Sequence, residues 1–354
     1  MLGCFVVQAP PQHPPLSTIN KALEAMKASM DTMDSIDDAH TYPFDGRSGI
    51  DLFASQADFD NAHHEAQKRM LRYVQRAHSN YQMLPRQIKE ETSKGGGIYL
   101  YANAAEARAR YSALAVRHFA DLLEREQPEH VWMVTLASRD YAMSLAEAEC
   151  ADLAPLKNWA HQMLLGFSYF GMIDAAFYSR RKANPTDTLG TVSWHIHAFV
   201  WDVSEADLAV RIASINERVH SVVPGLTAAH ASPVDLDRFA PRLRYVLKEP
   251  LNEYADWPKK SETVDPETGE IVIIQTGKRR QAKRPLRGGN QVRMAKVMAE
   301  RTLDKLTIAG GGGRDLMGHL NAAALAPYRE QQRKVRERRY RRELRRKRGR
   351  RSTY

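Results

Sequence analysis

Thr191–Val203 reads T-V-S-W-H-I-H-A-F-V-W-D-V, the most strand-like stretch of the chain. β-branched, aromatic and aliphatic residues fill it, and such side chains fit a pleated, half-buried surface. A strand turns alternate side chains to opposite faces. Val192, Trp194, Ile196, Ala198 and Val200 therefore share an apolar face that demands a core, and Ser193, His195, His197, Phe199 and Trp201 share the other. On that second face the two imidazoles stand about 6.5–7 Å apart at the backbone, from the rise per residue. Two ring nitrogens at that separation can converge on one metal ion. The spacing alone is also compatible with two hydrogen-bonded strand histidines, so the neighbouring elements decide.

Upstream, Gly171–Ser179 (G-M-I-D-A-A-F-Y-S) reads as a strand. Arg180–Gly190, with Asn184-Pro185 and a terminal glycine, reads as a turn, which makes an antiparallel hairpin with the His-Ile-His strand. Before it lie a helix around Ala154–Phe167 and a strand at Val131–Ala137 (V-W-M-V-T-L-A). Downstream, Asp202–Val219 is helical, with Ser204 as N-cap and Glu205 and Asp207 in the first turn. Leu226–Ala231 is a short strand. A helix follows between Pro241, which suits a first turn, and Pro250, which ends it. Strand, helix, strand, strand, helix, short strand, helix predicts an α+β domain, with a central antiparallel sheet flanked by helices, over residues 128–256.

The flanks differ in character. Residues 1–50 are weakly organised, and residues 51–127 form a helical extension with helices near Asp58–Gln82 and Ala102–Glu126. His63-His64 is expected to be solvated on the first of these. Lys94-Gly95-Gly96-Gly97 lacks the Lys-Ser/Thr ending of a nucleotide loop and reads as a connector. Residues 257–328 form a basic accessory region: a small hairpin at Thr263–Ile274, a basic run at Lys278–Arg287, a helix at Gln291–Leu306 and a flexible break at Gly310–Gly313. Residues 329–354 are an Arg-rich tail.

Charge is concentrated in that tail. It holds fourteen of the 52 Lys and Arg and three of the 42 Asp and Glu, a net of +11, so the remainder of the chain is at −1. Such an appendage points to a polyanionic partner, and its preference for Arg over Lys points to phosphate. Lys278, Arg279, Arg280, Lys283, Arg284, Arg338, Arg339, Arg341 and Arg342 are the expected nucleic-acid contacts. No apolar run approaches the roughly 18–20 residues of a membrane span, so no membrane partner is expected. Cys4 and Cys150 are the only cysteines, which excludes a disulfide framework and suggests a reducing cytoplasm.

Tyr245 and Lys248 lie three apart on the Pro241–Glu249 helix and so share a face. A strand carrying His-hydrophobic-His followed by a helix carrying Tyr-x-x-Lys resembles the HUH endonuclease superfamily. Histidines first and tyrosine second is the order of its rolling-circle replication initiators, and Val131–Ala137 resembles their first motif. The resemblance covers about residues 128–256. It implies a ferredoxin-like palm and a divalent ion, Mg²⁺ or Mn²⁺, held by His195, His197 and an acidic or polar residue upstream of them. Asp187 is the candidate third ligand, and Asp174 on the preceding strand is the alternative. Tyr245 would be the sole nucleophile, with Lys248 favouring its phenolate or the charge building on phosphate. The product would be a 5′-phosphotyrosine and a free 3′-OH on single-stranded or hairpin origin DNA. With no G-x-x-x-x-G-K-[ST] in the chain, helicase as well as polymerase would come from the host. A transposase using the same site, and a non-catalytic nucleic-acid-binding protein, are the rival readings.

Overall fold

The computed structural model describes residues 53–76, 99–182, 190–264, 268 and 270–351. The expectations for residues 1–50, for the Gly95–Gly97 connector and for Asp187 fall outside them. Within them the chain runs α1 (Gln56–Arg76), α2 (Ala105–Glu126), β1 (Val131–Leu136), β2 (Ala142–Ser144), α3 (Leu145–Cys150) and α4 (Ala154–Met163). It continues through β3 (Ser168–Tyr178), β4 (Thr191–Trp201), α5 (Glu205–Arg218), β5 (Ala229–Pro233) and α6 (Phe239–Leu247). The last part is β6 (Asn252–Val264), β7 (Ile271–Pro285), α7 (Gly288–Met298), α8 (Leu303–Leu306), β8 (Thr307–Gly310) and α9 (Gly313–Arg351).

One sheet joins the strands in the order β5-β1-β4-β3-β6-β7, with β2 also on β4 and β8 also on β3. The architecture is mixed α and β, a sheet flanked by helices. The sheet is not wholly antiparallel as expected: β6 runs parallel to β3, pairing Phe177–Tyr178 with Glu253–Tyr254. The reason is topological, since the chain crosses over through α6 before β6 reaches the far edge of β3.

β4 is buried along its whole length, because both of its faces are covered. Over the Trp194 face lies α3, and the Arg301 guanidinium joins them. It sits 4.5 Å from the Trp194 ring centroid and donates to the Ala148 and Ala151 carbonyls. Over the histidine face lies α2, whose Phe119 meets Phe199 and Trp201 edge-on and packs on Phe239 of α6. The core therefore extends beyond residues 128–256. Its main cluster runs from Leu100 to Ala324, with Ala115, Phe119 and Leu122 of α2 and Leu316 and Leu320 of α9 inside it.

The hairpin expected at Thr263–Ile274 is present, as the far end of a long β6–β7 ribbon that also takes in the basic run up to Pro285. Other local expectations are corrected. The helix at Gln291–Leu306 is interrupted after Met298, and Thr307–Gly310 adds an unforeseen strand to β3. Gly310–Gly313 is a packed turn instead of a flexible break. A Cβ on Gly310 would meet the Tyr169 ring at 2.2 Å, and Gly311 has φ +53°. The basic tail, finally, is a direct continuation of the buried start of α9.

Candidate metal centre and its tyrosine

Register assembles the site. In the β3–β4 ladder Asp174 stands opposite His195, and in the β1–β4 ladder Thr135 stands opposite His197. Directly opposed residues share a face, so a carboxylate and a hydroxyl join the two imidazoles there. One ligand atom from each of Asp174, His195 and His197 lies within 4.8 Å of the others, and all three residues are buried. His195 Nε2 is 3.1 Å from His197 Nε2 and 3.8 Å from Asp174 Oδ2.

Neighbouring groups set the state of these donors. His195 Nδ1 lies 3.1 Å from the Ser193 carbonyl, which can only accept. Nδ1 therefore carries the hydrogen and Nε2 keeps its lone pair. His197 Nδ1 is held 2.9 Å from Thr135 Oγ1. Burial lowers the pKa of His195, against the Asp174 charge, and pulls that of His197 well below the ordinary value, helped by His195 and Lys248. Both rings are thus neutral near pH 7. Burial opposes the charged form of Asp174, but the Lys248 ammonium beside it outweighs that and holds the carboxyl below its usual range. Two neutral imidazoles and an ionised carboxylate, converging in a buried site with their remaining atoms hydrogen-bonded, fit a divalent cation.

Tyr245 packs against this centre. Its ring centroid is 5.4 Å from that of His197, Lys248 Nζ is 4.5 Å from its centroid, and Lys283 Nζ is 5.5 Å away. Leu243, Val246 and Leu247 bury the opposite side of α6. The helix stops one residue before Lys248, which is its C-cap with ψ 158°. That extended turn carries Lys248 to Asp174, where its ammonium donates to Oδ2. The expectation of a single helix over Pro241–Glu249 is corrected accordingly, although Tyr245 and Lys248 do meet.

The supports of α6 were not anticipated. Arg108 of α2 is buried, and its guanidinium donates to the Leu247 carbonyl at 2.6 Å and to the Ala102 carbonyl at 2.7 Å. That satisfies a carbonyl at the helix C-terminus, where a cation is also favoured by the helix dipole. Arg244 donates to the Phe53 and Ala54 carbonyls, and Phe53 borders Tyr245 at 6.4 Å between centroids. His63 is fully buried, not solvated. Its Nδ1 donates to the Phe59 carbonyl, and its Nε2 accepts the Glu249 backbone N–H at 3.2 Å. Burial lowers its pKa to about 3. A hydrophobic spacing of Phe59, Ala66, Met70 and Val74 along α1 was the available signal, since His63 lies on the same stripe.

The expected site residues separate into groups. His195, His197, Tyr245 and Lys248 come together, and Lys283, expected only as a phosphate contact, joins them. Asp187 lies outside the described residues, and among the described residues the carboxylate that reaches the histidines is Asp174. Arg284 is paired with the buried Glu253, which Arg287 and Asn290 also bind. Lys278, Arg279 and Arg280 lie on β7, with Arg279 and Arg280 opposite Pro258 and Trp257. Arg338, Arg339, Arg341 and Arg342 are exposed on α9. Tyr254 is a β6 residue whose ring packs, tilted, against Tyr178. Among the described residues no helix is long and apolar enough to cross a membrane. No known protein family, curated protein or solved structure matches this chain.

Proposed function

We propose that the chain is a tyrosine-type, metal-dependent single-strand DNA nicking and joining enzyme of the HUH kind, acting at a replication origin. The observation that carries this reading is the placement of the Tyr245 ring against His197, itself one of three converging metal donors. A structural tyrosine needs no such neighbours, and a purely structural metal site needs no tyrosine.

Asp174, His195 and His197 would hold the ion, and a set with two imidazoles suits Mn²⁺ better than Mg²⁺, which favours oxygen ligands. When bound, the ion supplies Lewis-acid polarisation of a non-bridging phosphate oxygen. The chain's own groups do the rest. Tyr245 Oη attacks phosphorus, the bond from phosphorus to the 3′ oxygen breaks, and the proton lost by the phenol is balanced through solvent by the one taken up by the leaving 3′ oxygen. The products are a phosphotyrosine at the 5′ end of the downstream strand and a free 3′-OH on the upstream one. The reverse attack by a 3′-OH restores the strand, so no nucleotide triphosphate is consumed. Lys248 and Lys283, both over the Tyr245 ring, favour the phenolate and neutralise charge on the phosphate. Thr135 and the Ser193 carbonyl keep the imidazoles oriented. The free 3′-OH would prime a host polymerase on a strand opened by a host helicase.

The test is incubation with labelled single-stranded DNA from the replicon that encodes the chain, with Mn²⁺, resolved on a denaturing gel. A nick and a covalent adduct, both abolished by chelator and by His195→Ala/His197→Ala, are expected. DNA binding with neither nick nor adduct would favour the non-catalytic reading.

A further inference from the structure

The helix α9 continues far past the part that the fold buries. Leu316, Leu320 and Ala324 are its core residues, and none of the described side chains from Arg329 onward is buried. The root is firmly held. Arg110 of α2 donates to the Ala324 carbonyl at 2.9 Å, and the Tyr328 ring lies 5.3 Å from Tyr99. Beyond it the helix persists to Arg351, a rod of about 34 Å at 1.5 Å per residue. Ion pairs along its own axis, Arg333 with Glu330 at 2.8 Å and with Glu337 at 3.1 Å, join successive turns.

The distribution of charge around this rod identifies its partner. At about 100° per residue, Arg329, Arg341 and Arg342 fall on three different sides. Between Arg329 and Arg351 the larger apolar residues are Val335, Tyr340 and Leu344, too few for an apolar stripe. A helix that lies on a membrane or in a protein groove needs such a stripe. A helix that is cationic on all sides suits a channel with phosphates on both walls. The major groove of B-DNA, about 12 Å wide, admits a helix of about 10–12 Å diameter. A rod of about 34 Å matches about ten base pairs. A single strand offers no such channel, and the major groove of duplex RNA is too narrow for it.

We propose that α9 beyond Tyr328 is a preformed arm that lies in the major groove of duplex DNA, next to the single strand taken by the Tyr245 site. The proposal rests on the nicking reading only for the single strand placed beside the duplex. Because the buried half of α9 packs on α2 and β3, and β3 carries Asp174, the arm holds the duplex in a fixed relation to the metal centre.

The experiment uses the full chain and fluorescence anisotropy over a salt series. The probes are duplex DNA of about 20 base pairs, the corresponding single strand, and duplex RNA of the same sequence. Wild type is expected to bind duplex DNA most tightly. Arg338→Gln/Arg339→Gln/Arg341→Gln/Arg342→Gln should weaken that binding by at least about tenfold and flatten the log–log salt slope by about 3–4. Val335→Pro keeps every charge but breaks the rod, and should weaken duplex binding comparably while thermal unfolding of the core stays unchanged. Unchanged duplex affinity in Val335→Pro, or equal wild-type affinity for duplex RNA, would overturn the proposal. Nicking of single-stranded DNA by the same variants separates the two readings. Nicking retained with duplex binding lost supports the arm, and duplex binding as described without any nicking leaves the arm standing while the nicking reading fails.

Discussion

Lys248 donates to the same oxygen of Asp174, Oδ2, that lies 3.8 Å from His195 Nε2. The Asp174 carboxylate would therefore serve an ammonium and, when one is bound, a metal ion. Two like charges about 4 Å apart near a protein surface repel by about 4 kcal/mol. Lys248→Met should accordingly tighten Mn²⁺ binding by about tenfold or more, and Asp174→Asn should weaken it by at least as much. Isothermal titration of metal-free protein measures both. Weaker binding in Lys248→Met would show that Lys248 supports the site instead of competing for it.

Gly171 keeps β3 and β4 in contact beside the centre. A Cβ there would lie 2.4 Å from the His197 carbonyl oxygen and 2.6 Å from the Ala198 Cβ. Since the obstacle is largely backbone, the ladder must shift. Gly171→Ala should cost about 3 kcal/mol or more and separate Asp174 from the histidines. Chemical denaturation should show a lower midpoint, and the surviving folded protein should bind Mn²⁺ poorly.

The pH dependence of stability carries two opposed signatures at adjacent groups. His63 is held neutral in the fold, its pKa lowered by burial to about 3 from 6.5. The unfolded chain takes up this proton first, so stability falls as pH drops through the window from 6.5 to 3. Burial raises Glu249 from 4.5 to about 7. Here the folded chain is protonated first, so the contribution is present below 4.5 and is lost as pH rises to 7. Between pH 4.5 and 6.5 the two slopes offset each other. Glu249→Gln should expose the His63 slope, making stability fall with acid already from pH 6.5. His63→Gln should leave stability rising on mild acidification. Denaturant unfolding at a series of pH values reads both, and parallel profiles for all three proteins would contradict the assignment.

Arg108 closes the C-terminus of α6 from beneath the site. Arg108→Met removes its donors to the Leu247 and Ala102 carbonyls and leaves two buried acceptors unpaired, a loss of about 3 kcal/mol or more. The end of α6 should loosen with it. The expected result is a lower unfolding midpoint together with faster amide exchange at Tyr245–Lys248, in a protein that still binds metal through β3 and β4.

Much of this site was legible in the sequence, where local patterns suffice. Alternation across Thr191–Val203 placed the two histidines on one face, and Pro241 and Pro250 bracketed the helix that carries Tyr245. The third donor was harder, because it depends on the pairing register of β3 and β4. A hairpin closed about Asn184-Pro185 puts Asp174 and His195 equally far from the turn. Residues that act across the fold carried weaker signals. Arg108 and Arg244 become buried donors only through the packing of α2 and the Phe53 segment onto α6. Lys283 reads as one more basic residue, and the β6–β7 pairing brings it over Tyr245. The strand Thr307–Gly310 is too short to stand out, and its glycines suggested looseness where Tyr169 in fact fills the space.

Whether Tyr245 forms the covalent bond of the proposed reaction is read by peptide mass spectrometry. The chain is incubated with single-stranded origin DNA and Mn²⁺, digested with nuclease and then trypsin, and the tyrosine-containing peptides are sequenced. A nucleotide remnant is expected on Tyr245 and on no other residue, absent from Tyr245→Phe. A remnant on Tyr254 or any other residue, or cleavage that persists in Tyr245→Phe, would contradict it.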